Sequence, residues 1–255
     1  MARTDFQTPR LYVSQPLVTG AELKLEPQQT NYLVNVLRLA TGAPVLLFNG
    51  HDGEFSASLT AGARKAASLI VGAQTRPQET PPDVDYLFAP LKHARLDYMA
   101  QKAIEMGASR LRPIITRHTQ VARVNLERLR ANAIEACEQC GVIWIPEIAS
   151  AEPLGEALRG WPPERLLVFC DEEAEAASPL DALANTRAEG GLGLLIGPEG
   201  GFADDERAAI LSAPRVVRLS LGPRILRADT AAVAALALIQ ATLGDWPKGR
   251  TGDGL

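Results

Sequence analysis

Cysteine is scarce in this chain. Cys137, Cys140 and Cys170 are the whole complement, too few and too odd in number for a disulfide framework, which fits a reducing compartment. No uninterrupted apolar run reaches bilayer length, so no membrane-spanning helix is expected. MARTDFQTPR has no apolar stretch after its arginine, so no secretory signal is expected and a cytoplasmic location follows. Positive charge is not in excess either: the formal net charge is −4, which excludes a nonspecific nucleic-acid binder of the strongly basic kind. His51, His93 and His118 are scattered without ligand spacing. Cys137-Glu138-Gln139-Cys140 has no second pair, so its cysteines read as small buried hydrophobes and no metal is expected.

What is present is a soluble globular balance, 46% hydrophobic and 22% charged over 255 residues, enough for a core without metal or disulfide staples. The sequence Arg76-Pro77-Gln78-Glu79-Thr80-Pro81-Pro82 divides the chain, because three prolines among polar residues favour an extended connector. Three parts are expected: residues 1–75, a linker at 76–82, and residues 83–244, with 245–255 as a frayed tail. Before the linker, β-like runs at 10–13, 43–48, 54–59 and 67–71 alternate with turn signals, and one short helix covers Gln28 to Leu37. That pattern predicts a small β-barrel. After it, apolar runs at 84–91, 111–115, 166–170, 192–196 and 216–221 alternate with helical patterns at 95–106, 126–140, 204–212 and 230–243. Strands apolar on both faces, separated by helices, predict a parallel sheet in an α/β domain.

Charge is segregated. Between Lys92 and Arg130 nine Lys or Arg face three acids, and between Arg215 and Arg227 there are four arginines and no acid. A polyanion or ordinary solvated faces would both suit such a distribution. Leu195-Ile196-Gly197-Pro198-Glu199-Gly200-Gly201-Phe202 breaks a strand into a bare turn, where main-chain N–H groups can meet a ligand closely. The helix that follows attracts an anion at its start. Phe202 and Ala203 stand where a phosphate-binding loop needs lysine and a hydroxyl, and the glycine spacing is not that of a dinucleotide fingerprint. A second loop, Leu219-Ser220-Leu221-Gly222-Pro223-Arg224-Ile225-Leu226-Arg227-Ala228-Asp229-Thr230, brings Arg224 and Arg227 to the same end of the sheet. Asp229 or Thr230 is expected to cap the next helix.

Together, LLIGPEGGF and LSLGPRILRADTA resemble the small-subunit ribosomal RNA uridine N3-methyltransferases, the RsmE family of SPOUT methyltransferases. Gln101-Lys102-Ala103-Ile104-Glu105-Met106-Gly107, Glu135 to Gly141, Val36-Leu37-Arg38 and Phe48-Asn49-Gly50 extend the likeness over nearly the whole chain, in order. The resemblance implies a PUA-like β-barrel followed by a SPOUT-type parallel sheet with a C-terminal trefoil knot. It implies a homodimer acting on 16S ribosomal RNA of the small subunit, with S-adenosylmethionine as methyl donor. Leu195, Ile196, Gly197, Pro198, Glu199, Gly200, Gly201, Leu219, Leu221, Gly222, Ile225, Leu226 and Thr230 are then the donor-binding candidates. Arg224 and Arg227 are the catalytic candidates. Arg10, Arg38, Lys92, Arg95, Lys102 and Arg117 are candidates for contacting RNA.

Four positions depart from the family pattern. Val142 stands where an arginine is common, Asp229 where a glutamate is usual, Ala203 where Ser or Thr often begins the helix, and Asn31 where a histidine is frequent. Asp204 is expected to cap in place of Ala203. Glu199 either addresses the donor or orients its own loop through backbone N–H bonds. A methyltransferase of the same fold acting on transfer RNA, and a noncatalytic RNA-binding or ribosome-assembly factor, remain as alternatives.

Overall fold

The computed structural model describes residue 5 and residues 7–60, 67–121, 123–174 and 178–246. Residues 247–255 of the expected tail lie outside these. The chain forms two compact units: Met1–Thr80 with Cys137–Ile145, and Pro81–Ala136 with Pro146–Leu255.

In the first unit, β1 (Arg10–Tyr12), β2 (Glu22–Lys24), β3 (Pro44–Phe48), β4 (Glu54–Leu59) and β5 (Ser68–Arg76) form one strongly curled sheet in the order β1-β3-β4-β5-β2. The β1–β3 pairing is parallel and the rest are antiparallel. Every second residue along β3, β4 and β5 (Val45 and Leu47; Phe55, Ala57 and Leu59; Leu69 and Val71) enters a single core, as the period of two in a strand requires. Each of these side chains larger than alanine contributes about 1.5–3 kcal/mol of burial.

The expected helix at Gln28 to Leu37 is instead a short α-turn, α1 (Pro27–Thr30), that widens into a π-helix over Asn31–Val36. Pro27 suits the first helical position, and the Gln29 side chain accepts the Glu26 N–H at 2.9 Å. The widened turn ends at Arg38, which takes a left-handed φ of 55°, the sole non-glycine residue to do so among those described. Such a backbone costs free energy, which is why a sequence reading of propensity alone passes over it. Cys137 is buried, with its thiol directed at the Trp144 carbonyl at 3.6 Å, and burial pushes that thiol up from its ordinary value.

The second unit carries β6 (Val84–Phe88), α2 (His93–Glu105), β7 (Arg110–Ile115), α3 (Leu126–Cys140, whose last turn counts with the first unit), β8 (Glu147–Ile148), β9 (Glu152–Pro153), α4 (Leu154–Arg159), β10 (Leu166–Cys170), α5 (Pro179–Ala184), β11 (Leu192–Ile196), α6 (Asp204–Leu211), β12 (Val216–Leu219) and α7 (Ala228–Thr242). The strand order is β12-β10-β11-β6-β7-β8, with β9 also on β7, and every pairing is parallel. All five residues of β6 and of β11 are buried, as strands covered on both faces must be. Gly193 lies against the Trp161 ring so closely that any Cβ there would clash, so glycine is what lets the indole lie on the sheet. Short elements lay below the reach of periodicity: β2, β8, β9, α4 and α5 span two to six residues each.

The capping expectations need correction. Helix α7 begins two residues earlier than expected, with Arg227 at the cap position and no side-chain cap, while Asp229 accepts the Thr230 N–H at 2.9 Å. In α6 the cap position is Ala203 itself, and Glu206, one turn on, accepts the Ala203 N–H at 3.1 Å. Asp204 is the first helical residue and does not cap. Among the described residues no helix is long and apolar enough to cross a membrane.

Candidate functional site

Three loops leave the carboxyl ends of β10, β11 and β12 and enclose a cavity of about 510 Å³ within the second unit. Its size suits a drug-sized ligand, and its place is where parallel sheets bind ligands. Ile196, Gly197, Pro198, Glu199 and Gly201 contribute from the β11 loop, and Leu219, Leu221, Gly222, Ile225 and Leu226 from the β12 loop. Arg224 and Arg227 also line it. The two sequence motifs therefore meet in one cavity.

Gly201 has a φ of +68° and Gly222 of +94°, conformations that favour glycine. At Gly197 the constraint is space: a Cβ there would lie 2.5 Å from the Phe202 ring, which in turn packs edge-on against Phe169. The glycines thus leave main chain as the cavity wall and let an aromatic support it from behind.

Three donor-binding candidates do not line the cavity. Leu195 is fully buried in the core beside Leu87 and Ile114, because side chains alternate along β11 and its own points away. Gly200 lies against His118, whose Nδ1 is 3.1 Å from the carbonyl oxygens of both Gly200 and Gly201. Since both partners accept, His118 donates. Thr230 is exposed in the first turn of α7.

The electrostatics sort the cavity's acids. Asp171 is buried and takes hydrogen bonds from Arg207 at 2.9 Å and from Arg218 at 2.7 Å. Burial pushes its carboxyl up, but the two guanidinium groups outweigh that and hold it below the ordinary range. Glu173 pairs with Arg207 at 3.3 Å. Glu199 pairs with Arg95, and no hydrogen bond among the described residues joins its carboxylate to the backbone of its own loop. Glu172 has no ion pair among the described residues, and its carboxylate fills the space a side chain at position 201 would need. Arg224 and Arg227 are exposed on the rim, likewise without an ion pair among the described residues. Ile225 between them is 97% exposed. Asp171, Glu172, Arg207 and His118 escaped sequence reasoning, since neither spacing nor composition marks a residue that meets a loop far along the chain.

The candidates for RNA contact separate into kinds. Arg10 needs correction: it is 5% exposed and forms a 2.7 Å pair with buried Glu54, an internal tie that leaves no guanidinium for a ligand. Arg95 is likewise engaged, by Asp229 and Glu199. Lys102 pairs with Glu105 at 2.7 Å, and Arg117 with Asp205 at 2.6 Å, both on the surface. Arg38 and Lys92 are exposed.

Comparison with known proteins agrees with this geometry. Residues 78–240 match the RNA methyltransferase domain family and residues 25–72 the RNA methyltransferase PUA domain. A ribosomal RNA small subunit methyltransferase E from Synechocystis sp. is 31% identical over 239 residues, covering 92% of this chain and 78% of that one. A putative methyltransferase from Legionella pneumophila, solved with the cofactor SAM bound, superposes with a TM-score of 0.83 at 30% identity over 94% of this chain and 100% of that one. A ribosomal RNA small subunit methyltransferase E from Neisseria gonorrhoeae, bound to S-adenosyl methionine, gives 0.82 at 28% identity over the same shares. With a bare-backbone cavity at the sheet's carboxyl edge and matches running through both units, the chain belongs to the RsmE family of SPOUT RNA methyltransferases.

Proposed function

We propose that this protein transfers a methyl group from S-adenosylmethionine to N3 of a specific uridine in 16S ribosomal RNA of the small subunit, in the cytoplasm. The observation that carries this is the cavity itself, walled by the main chain of two glycine-bearing loops and rimmed by two arginines that have no carboxylate partner among the described residues. Its volume, its apolar lining from Ile196, Leu219 and Leu226, and the acid Glu172, which has no ion pair among the described residues, fit a nucleoside that bears cationic groups. S-adenosylmethionine would supply, when bound, a methyl group carried on its sulfonium sulfur, which departs as a neutral thioether as the carbon–sulfur bond breaks.

The chain's own residues position and stabilise. Backbone N–H and C=O groups of residues 197–201 and 219–226 take the adenine, since glycine allows the close approach. N3 of uridine becomes a good nucleophile only as its imide proton leaves for water, and negative charge then develops on the base edge. A guanidinium cannot remove that proton, but it can offset the charge. Arg227, fixed at the start of α7, faces the base, and Arg224 the RNA backbone. Arg38, Lys92, Lys102 and Arg117 extend the RNA surface, with residues 1–75 as the RNA-gripping PUA-like domain and 83–244 as the transfer domain. The loops around the cavity form a trefoil knot. A homodimer completes each RNA site, and the half-buried apolar residues Val233, Ala234, Ala237 and Leu238 of α7 suit its interface.

The test is a labelled methyl-donor assay on small ribosomal subunits from a strain lacking the activity, followed by nucleoside analysis. Label is expected as N3-methyluridine. Transfer to transfer RNA alone would redirect the substrate, and absence of donor binding would leave an RNA-binding factor on this fold. Arg227→Ala is expected to lower kcat about 10²-fold or more with donor affinity kept. Arg224→Ala is expected to raise KM for the subunit more than it lowers kcat.

A further inference from the structure

We infer that Arg95 is a positioning residue of the donor site, a strut that joins the β11 loop to the first turn of α7, and not a contact for RNA. The inference rests on the donor reading of the cavity given above. Arg95 sits in the first turn of α2, and its guanidinium reaches two other elements at once. Nε lies 3.1 Å from Asp229 Oδ2 and Nη2 3.3 Å from Asp229 Oδ1, a two-pronged grip, while Nη1 holds Glu199 Oε1. Glu199 belongs to one wall of the cavity. Asp229 follows Ala228, which lines the other wall, and stands two residues beyond Arg227 on the rim.

Several features favour support over RNA contact. The fork is already engaged on Nε and both terminal nitrogens, so a phosphate would have to displace a carboxylate. One guanidinium with two carboxylates leaves the cluster at net −1, which repels a phosphate and suits a cationic donor. The loop it holds contains Gly197, Gly200 and Gly201 and would lose much freedom on binding a ligand. Arg95 at one side and His118 at the other fix that loop in advance. The grip suits arginine: its planar fork holds Asp229 with two nitrogens and Glu199 with the third, a fixed geometry that the compact ammonium of lysine does not reproduce.

The experiment is titration calorimetry with S-adenosylmethionine, paired with filter binding to small ribosomal subunits. The proteins are wild type, Arg95→Gln, Arg95→Lys, Glu199→Gln and the double variant Arg95→Gln/Glu199→Gln. Donor Kd is expected to rise about tenfold in Arg95→Gln, with no rescue by lysine and with RNA affinity unchanged. Glu199→Gln should weaken the donor in the same direction, and the double variant should be no weaker than Arg95→Gln, because both remove one tie. Glu199 is on an exposed loop, so its variant carries the test should Arg95→Gln fail to fold. Unchanged donor Kd in both single variants, or a loss confined to RNA affinity, overturns the inference while leaving the donor reading intact. A wild-type protein that binds no donor overturns the donor reading and this inference with it.

Discussion

Gly197 shows how much one missing side chain determines here. Its Cβ would lie 2.5 Å from Phe202, and the ring is held by its edge-on contact with Phe169, so it cannot retreat without disturbing the base of the loop. Gly197→Ala is therefore expected to weaken donor binding about tenfold or more, read by calorimetry, while the melting temperature moves by only a few degrees. Gly201→Ala differs in kind. There the nearest atom is the flexible end of Glu172, which can swing aside, and the cost comes from a φ of +68° that alanine adopts poorly, about 1 kcal/mol.

At the scale of elements, the parallel sheet has two chemically distinct ends. The carboxyl ends of its strands form the cavity, and near the opposite ends buried Asp85 of β6 gathers Arg110 and Arg112 from β7 and Arg165, which precedes β10. Arg112 and Arg165 lie over the Trp161 ring at 5.6 and 5.4 Å from its centroid. Asp83, Glu147 and Glu152 complete the pairing on the outside. Removing the central carboxylate leaves several arginines facing one another with a buried neutral group between them. Asp85→Asn is expected to lower unfolding free energy by about 3–5 kcal/mol in a urea titration, with donor affinity of the folded protein unchanged. A loss of donor binding without a loss of stability would contradict that division of labour along the sheet.

For the whole molecule, pH dependence follows from carboxylates held below their ordinary range. Asp229 is lowered chiefly by its hydrogen bonds from Arg95, and Asp171 by Arg207 and Arg218 against the opposing effect of burial. Asp52 is lowered by the Leu17 N–H and by Asn49. A carboxylate with a lowered native pKa contributes stability above its unfolded value, about 3.9, and loses it as pH falls from there through the native value. Thermal unfolding is therefore expected to show constant stability from these groups between pH 5 and 7 and a progressive loss below about pH 4. These groups leave the alkaline side unaffected.

What the sequence determined by itself is the order and class of the long elements and the position of the two loops. Strands such as Glu54–Leu59 and Leu192–Ile196, and helices such as Leu126–Cys140, follow from local periodicity, and glycine and proline mark where a strand must stop. Those are near-neighbour effects, legible one window at a time, and the family resemblance stands on the same loops. What tertiary structure alone decided is which charges meet. Arg95 finds Glu199 across 104 positions and Asp229 across 134, and His118 finds Gly200 across 82. Arg10, exposed by any count of charge, is buried on Glu54 across 44. No periodicity records such a partner. A guanidinium is satisfied by whichever carboxylate the packing of remote elements brings within about 3 Å, and that distance exists only once the strands and helices that carry the two groups have assembled.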